Sequence, residues 1–220
     1  MKQILCFGDS NTYGLIPGTA NQRYGWGTRW TSILDEKVRT KGYRVIEEGL
    51  CGRTTVFDDP FRTERRGTEM LPAILESHRP VDIIVLMLGT NDCKTCYGAS
   101  AEVIAKGLEK VIDKAREKAA TPFDLLVISP IHLGKGVGEE GFDTEFNEAS
   151  EAVSRKLAKE YRKVAIQKGA YFLDASTVAK PSVTDREHLD EIGHKALSQA
   201  VYQIVKQWEK ENVLKEERAV

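Results

Sequence analysis

The feature that most constrains this 220-residue chain is an alternation of two periodicities. Short apolar runs at residues 3–7, 44–47, 82–88, 124–129 and 171–174, rich in Val, Ile and Leu, read as strands buried on both faces. Between them apolar residues recur at helical spacing. Residues 30–41 place Ile33, Leu34 and Val38 on one face, and residues 101–119 do the same with Ile104, Leu108, Val111, Ile112 and Ala115. Further helices are expected near residues 68–77, 144–168 and 190–205. Strand alternating with helix predicts an α/β fold, a five-stranded parallel sheet between two helical layers (three-layer α/β/α), and the flavodoxin-like order 2-1-3-4-5 is the arrangement taken for it. Ligands in such sheets bind beyond the carboxyl ends of the strands, so the strand exits are where chemistry is expected.

The length suits a single domain spanning residues 1–220, with a glycine-rich, mobile loop at residues 132–141 and a charged helix end or tail from about residue 208. Thirty-two basic residues against 33 acidic ones leave no charge excess to attract nucleic acid or a membrane surface, which points to a small-molecule partner. No apolar run approaches the roughly 20 residues of a membrane span. The opening "MKQILCFGDS" does not read as a secretory signal, and four cysteines in such a chain are expected as reduced thiols in the cytoplasm.

Four blocks then stand out: "GDSN" after the first strand, "EEGLCGRTT" after the second, "LGTND" after the third, and "TDREHLD" ahead of the last helix. They carry Ser10, Gly52, Asn91, and the pair Asp185 and His188. Acyl transfer through serine needs a hydroxyl, an imidazole to take its proton, a carboxylate to orient the imidazole, and donors for the oxyanion. In the order 2-1-3-4-5, Gly52 and Asn91 flank Ser10 from opposite sides. Asp185 and His188 must cross three inter-strand spacings, about 14 Å, and the segment from Ala175 to Asp185 can span more than about 30 Å. Taken singly, each block has a plainer reading: Ser10 as a turn residue, Asn91 as a helix cap, Asp185 and His188 as a surface pair on one helical turn. Of the four histidines, only His188 has an Asp partner at this spacing; His78, His132 and His194 do not. A non-catalytic module that binds a small ligand or anion at the Gly-Asp-Ser-Asn turn is the alternative.

These blocks resemble the SGNH hydrolases, a branch of the GDSL-type esterases, and "ILCFGDSNTYG", "VIEEGLCGRTTVFDDP" and "MLGTNDCK" resemble most its bacterial arylesterase and acyltransferase subgroup. The resemblance implies a cofactor-independent serine esterase for short acyl groups, acetyl foremost, on aryl, alkyl or sugar alcohols. Water, another alcohol or peroxide would be the acceptor. It makes Ser10 the nucleophile, His188 the base and Asp185 its partner, with the oxyanion held by the N–H groups of Ser10 and Gly52 and by the Asn91 amide. It also implies a homo-oligomer whose neighbouring subunits narrow the pocket. Asn11 stands where subgroup members often carry Leu, and Gly52 where some carry Ala. Asn11 is expected to alter the polarity of the pocket, and Tyr13 and Cys51 to help line it.

Other polar residues have structural readings. Asp9 is expected to brace the turn, and Arg53, Asp58 and Asp59 to fix the loop that follows Gly52. Cys93 and Cys96 form a lone Cys-x-x-Cys without the further ligands of a zinc site or the thioredoxin-like context of a redox pair, so no metal is expected.

Overall fold

Every apolar run becomes a strand. In a computed structural model that describes residues 1–218, with side chains as far as Leu214, the strands are β1 (Lys2–Gly8), β2 (Tyr43–Gly49), β3 (Ile83–Met87), β4 (Asp124–Ser129) and β5 (Tyr171–Asp174). They form one parallel sheet in the order β2-β1-β3-β4-β5. Successive side chains of a strand point to opposite faces: Leu5 and Phe7 enter one apolar layer, Ile4 and Cys6 the other. Because both layers are covered, the runs are apolar at every position. On the Leu5 face pack α3 (Gly67–His78), α4 (Ala101–Lys118) and α5 (Glu148–Gln167); on the Ile4 face pack α2 (Trp30–Arg39) and α6 (Glu191–Arg218).

Two helix boundaries depart from the sequence reading. Helix α5 starts at Glu148, not near 144, because Asn147 and Ser150 close a reciprocal cap: Ser150 N donates to Asn147 Oδ1 at 3.0 Å, and Asn147 N to Ser150 Oγ at 3.2 Å. Helix α6 runs on to Arg218 instead of ending near 205. Leu197, Val201, Val205 and Trp208 continue one apolar stripe along it, and Trp208 Nε1 donates to Asp124 Oδ2 at 2.6 Å. The stretch expected as a charged helix end or tail from 208 therefore begins on a core residue, and its last two positions, Ala219 and Val220, lie outside the described residues.

The glycine-rich stretch at 132–141 is a loop, as expected, and it is tied to its surroundings. Leu133 and Val137 are buried, Leu133 N donates to Ser154 Oγ at 3.1 Å, and Gly136 N donates to Glu151 Oε1 at 2.5 Å. No helix among the described residues is long and apolar enough to cross a membrane.

Candidate active site

The site is assembled at the carboxyl end of the sheet. Strand β1 ends at Gly8, Asp9 caps a four-residue helix, α1 (Ser10–Tyr13), and Asp9 Oδ1 accepts a hydrogen bond from Asn11 N at 3.0 Å. Helix α1 lies directly on the sheet because two glycines leave room for it. A Cβ on Gly49 would fall 2.1 Å from Tyr13 N, and one on Gly8 would fall 2.0 Å from Thr12 Oγ1. This close seat fixes Ser10 at the start of α1, where its N–H donates to no other described residue.

The second and third blocks are bound to each other. Gly52 has φ 82°, a left-handed conformation that costs other residues about 1–2 kcal/mol, and its N–H likewise has no described partner. Arg53 turns inward, stacks 4.0 Å over the Phe7 ring and donates from Nη1 to Gly8 O at 2.8 Å and to Glu48 O. Asn91 begins a short 3₁₀ turn, Asn91–Cys93, and its Nδ2 donates to Arg53 O at 3.1 Å. Buried Asp92 accepts from Thr55 N at 3.0 Å and from the Thr55 hydroxyl. Burial pushes the carboxyl pKa up at Asp92, to about 7, and at Asp9, to about 6.

Asp185 and His188 reach this place from the loop ahead of α6, as the position of their block implied, and not as a surface pair on one helical turn. Arg186 between them adopts φ 64°, so the chain coils tightly enough for Asp185 Oδ1 to accept from Glu187 N at 3.1 Å and from His188 N at 3.0 Å. Asp185 Oδ2 accepts from Gly18 N at 3.1 Å and lies 2.8 Å from His188 Nδ1. His188 Nε2 lies 2.8 Å from Ser10 Oγ. In the tautomer whose Nδ1–H faces Asp185, Nε2 is free to accept the serine proton.

The electrostatics of this chain are set by competition. Burial opposes charge on Asp185, but the hydrogen bonds and charge of His188 outweigh it and lower the carboxyl pKa. Burial likewise opposes charge on His188, yet Glu187, Asp185 and Asp9 carry its pKa up to about 9. Glu187 is itself pushed up to about 7 by burial.

Ser10, Gly52, Asn91, Asp185, His188 and Cys51 all line one cavity of about 330 Å³. Two expectations are corrected. Asn11 does not line the cavity: its Oδ1 accepts from Leu189 N at 2.9 Å, and its Nδ2 lies 3.5 Å from Glu187 O, so it fastens the histidine loop to α1. Tyr13 is turned away as well, packed 4.6 Å from the Arg23 guanidinium. The loop residues behave as read: Asp59 pairs with Lys94 at 3.1 Å, and Asp58 with Arg66 at 3.0 Å. Cys93 is buried with Sγ 3.3 Å from Gly89 O, whereas Cys96 is exposed. The sequence reading missed Arg62, Lys94, Asp143 and Glu187 on the cavity wall. Glu187 had the plainest available signal, an acidic residue beside the histidine in "DREHLD".

A hydroxyl, imidazole and carboxylate in one hydrogen-bonded line, with free N–H groups beside the hydroxyl, define a class of hydrolase that the sequence confirms. The family of GDSL-like lipases and acylhydrolases matches residues 6–196, and the chain belongs to that family, among its SGNH hydrolases. It is a carboxylic ester hydrolase, which decides against the binding module. Among solved structures it is similar to Est24, a carbohydrate acetylesterase from Sinorhizobium meliloti, with 31% identity over 94% of this chain and 100% of that one and a TM-score of 0.87. It is also similar to the native aryl esterase of M. smegmatis, with 31% identity over 94% and 99% of the two chains and a TM-score of 0.84. No curated protein matches the chain.

Proposed function

We propose that the protein is a serine esterase that cleaves short-chain esters, acetyl foremost, of aryl, alkyl or sugar alcohols through an acyl-enzyme on Ser10. The observation that carries the reading is the continuous line from Asp185 Oδ2 through His188 to Ser10 Oγ, with 2.8 Å at each step, opening into the cavity. Ser10 Oγ attacks the ester carbonyl as His188 Nε2 takes its proton, and the oxyanion accepts hydrogen bonds from the N–H groups of Ser10 and Gly52 and from Asn91 Nδ2. Collapse expels the alcohol, which leaves with the proton from His188. Water then attacks the acyl-serine, giving its proton to His188, and Ser10 Oγ recovers it as the acid departs. An alcohol or peroxide in place of water yields acyl transfer.

The acetyl and aryl parts of the reading draw on the two similar enzymes, a carbohydrate acetylesterase and an aryl esterase. The proposal extends to a cytoplasmic homo-oligomer. Four unpaired cysteines fit the first, and the exposed Phe61 and Val183, each next in the chain to a cavity-lining residue, fit the second. A fluorophosphonate tests the chemistry. Mass spectrometry should locate its adduct on Ser10, and His188→Ala should abolish labelling. Labelling elsewhere, or labelling of Ser10 that survives that substitution at full rate, sinks the proposal. A rate series over aryl acetates, longer acyl chains and acetylated sugars then orders the substrates.

A further inference from the structure

Glu187 takes no part in the line from Asp185 to Ser10, yet it sits beside the reacting atoms. Its side chain is 8% exposed, it lines the cavity, and its Oε1 lies 3.6 Å from His188 Nε2. That separation is too long for a hydrogen bond, and Nε2 is engaged by Ser10 at 2.8 Å. Among the described residues no group donates a hydrogen bond to the Glu187 carboxylate. Ionised, as it is above its pKa of about 7, the carboxylate is an acceptor only, and leaving it without donors is costly. The cavity thus contains a built acceptor that the protein itself leaves unfilled.

The other charges on the wall restrict what can fill it. Lys94 is buried and held between Asp59 Oδ2 at 3.1 Å and Glu145 Oε2 at 2.9 Å. Arg62 reaches the same two carboxylates at 3.6 and 3.5 Å. Both cations are therefore already balanced, which leaves no anion site, and the group that fills the acceptor has to be a hydrogen-bond donor carried by the substrate itself. On the alcohol half of an ester the donor at hand is a second hydroxyl. It has to lie close to the ester too. The alcohol oxygen that leaves with the proton must come within about 3 Å of His188 Nε2, and the Glu187 carboxylate is 3.6 Å from that same atom.

We propose that Glu187 selects the alcohol half of the substrate, accepting a hydrogen bond from a hydroxyl on the carbon adjacent to the ester-bearing one, so that monoesters of vicinal diols and polyols are preferred. This rests on the serine-esterase reading and adds to it a residue that distinguishes one alcohol from another. The same contact operates on an acceptor alcohol in acyl transfer, since that alcohol occupies the place of the leaving one.

The test uses two acetates that differ by one group, 2-hydroxyethyl acetate and propyl acetate, in which a hydroxyl replaces a methyl. Their kcat/KM values are measured on the same preparation and normalised to the alkaline hydrolysis rates of the two esters, so active fraction and intrinsic reactivity cancel. The wild-type enzyme should favour the hydroxyethyl ester by about 10- to 100-fold, the range of a hydrogen bond to a charged group. Glu187→Leu should bring the ratio near unity, and Glu187→Gln, which keeps a carbonyl acceptor, should fall between. A wild-type ratio near one, or a ratio unchanged in Glu187→Leu, overturns the inference; if that variant does not fold, the Gln variant and the wild-type ratio still decide. Fluorophosphonate labelling separates the two levels. A wild-type enzyme that neither labels at Ser10 nor cleaves either acetate overturns the esterase reading and this inference with it, whereas a labelled enzyme with equal rates overturns this inference alone.

Discussion

Asn91 spends one amide hydrogen on Arg53 O, at 3.1 Å, and lines the cavity; in the proposed mechanism its other amide hydrogen serves the oxyanion. Asn91→Ala should lower kcat by about 100- to 1,000-fold, the usual cost of one oxyanion donor, with circular dichroism unchanged; near-normal turnover would remove Asn91 from the mechanism. Asn11 acts differently, through the loop it holds. Asn11→Ala leaves the buried Leu189 N–H without its acceptor, a cost of about 1–3 kcal/mol, and frees the segment that places His188 against Ser10. A fall in both melting temperature and kcat is expected, with KM little changed. Titration gives a third prediction. Ionised Glu187 favours the imidazolium of His188, and only the neutral imidazole accepts the serine proton. The ascending limb of kcat/KM should therefore lie above the ordinary 6.5, toward about 9, and Glu187→Gln should move it to lower pH. An identical limb in the two proteins counts against the coupling. That Ser10, Gly52, Asn91, Asp185 and His188 would meet in one place was legible in the sequence, because motif and order single them out. Asn11, Tyr13 and Glu187 were not, since adjacency in the chain to a nucleophile or a histidine does not say which way a side chain turns.

The strands were legible to within two residues at either end, because an apolar run buried on both faces carries its own limits. Where helix boundaries escaped, the cause was a local contact: the Asn147–Ser150 cap at α5, and the burial of Trp208 far along an otherwise polar α6. Helix α1 escaped altogether, since four residues show no periodicity, and only the structure reveals how it depends on a neighbouring strand. Gly49→Ala would drive a methyl into Tyr13 N and lift α1 from the sheet. It should destabilise the protein by about 1–3 kcal/mol and reduce Ser10 labelling more than its loss of fold accounts for. A variant as stable and as readily labelled as the wild type would show that α1 does not need this close seat.

At the scale of the molecule, the order β2-β1-β3-β4-β5 puts β1 between the strands that deliver Gly52 and Asn91, which makes three separate loops one site. Alternation of strand and helix was enough to foresee a parallel sheet with two helical layers; the order itself came from the flavodoxin-like arrangement and from the motifs at the strand exits. The outer surface was not foreseeable to the same degree, since exposed faces are not forced by a core. If Phe61 and Val183 face neighbouring subunits, the protein should sediment as a homo-oligomer, and charged substitutions at both should yield a smaller species with altered KM; a monomer at all concentrations refutes the assembly. The contact between His188 and Ser10 joins positions 178 apart in the chain. Such a bond closes only once the intervening strands are in place and the closing segment has docked across them. Partly folded chains, and a nascent polypeptide whose final third is still being synthesised, are therefore silent as catalysts. Hydrolysis of a chromogenic ester becomes a stopwatch for the completion of folding, started by dilution from denaturant and read in ordinary light.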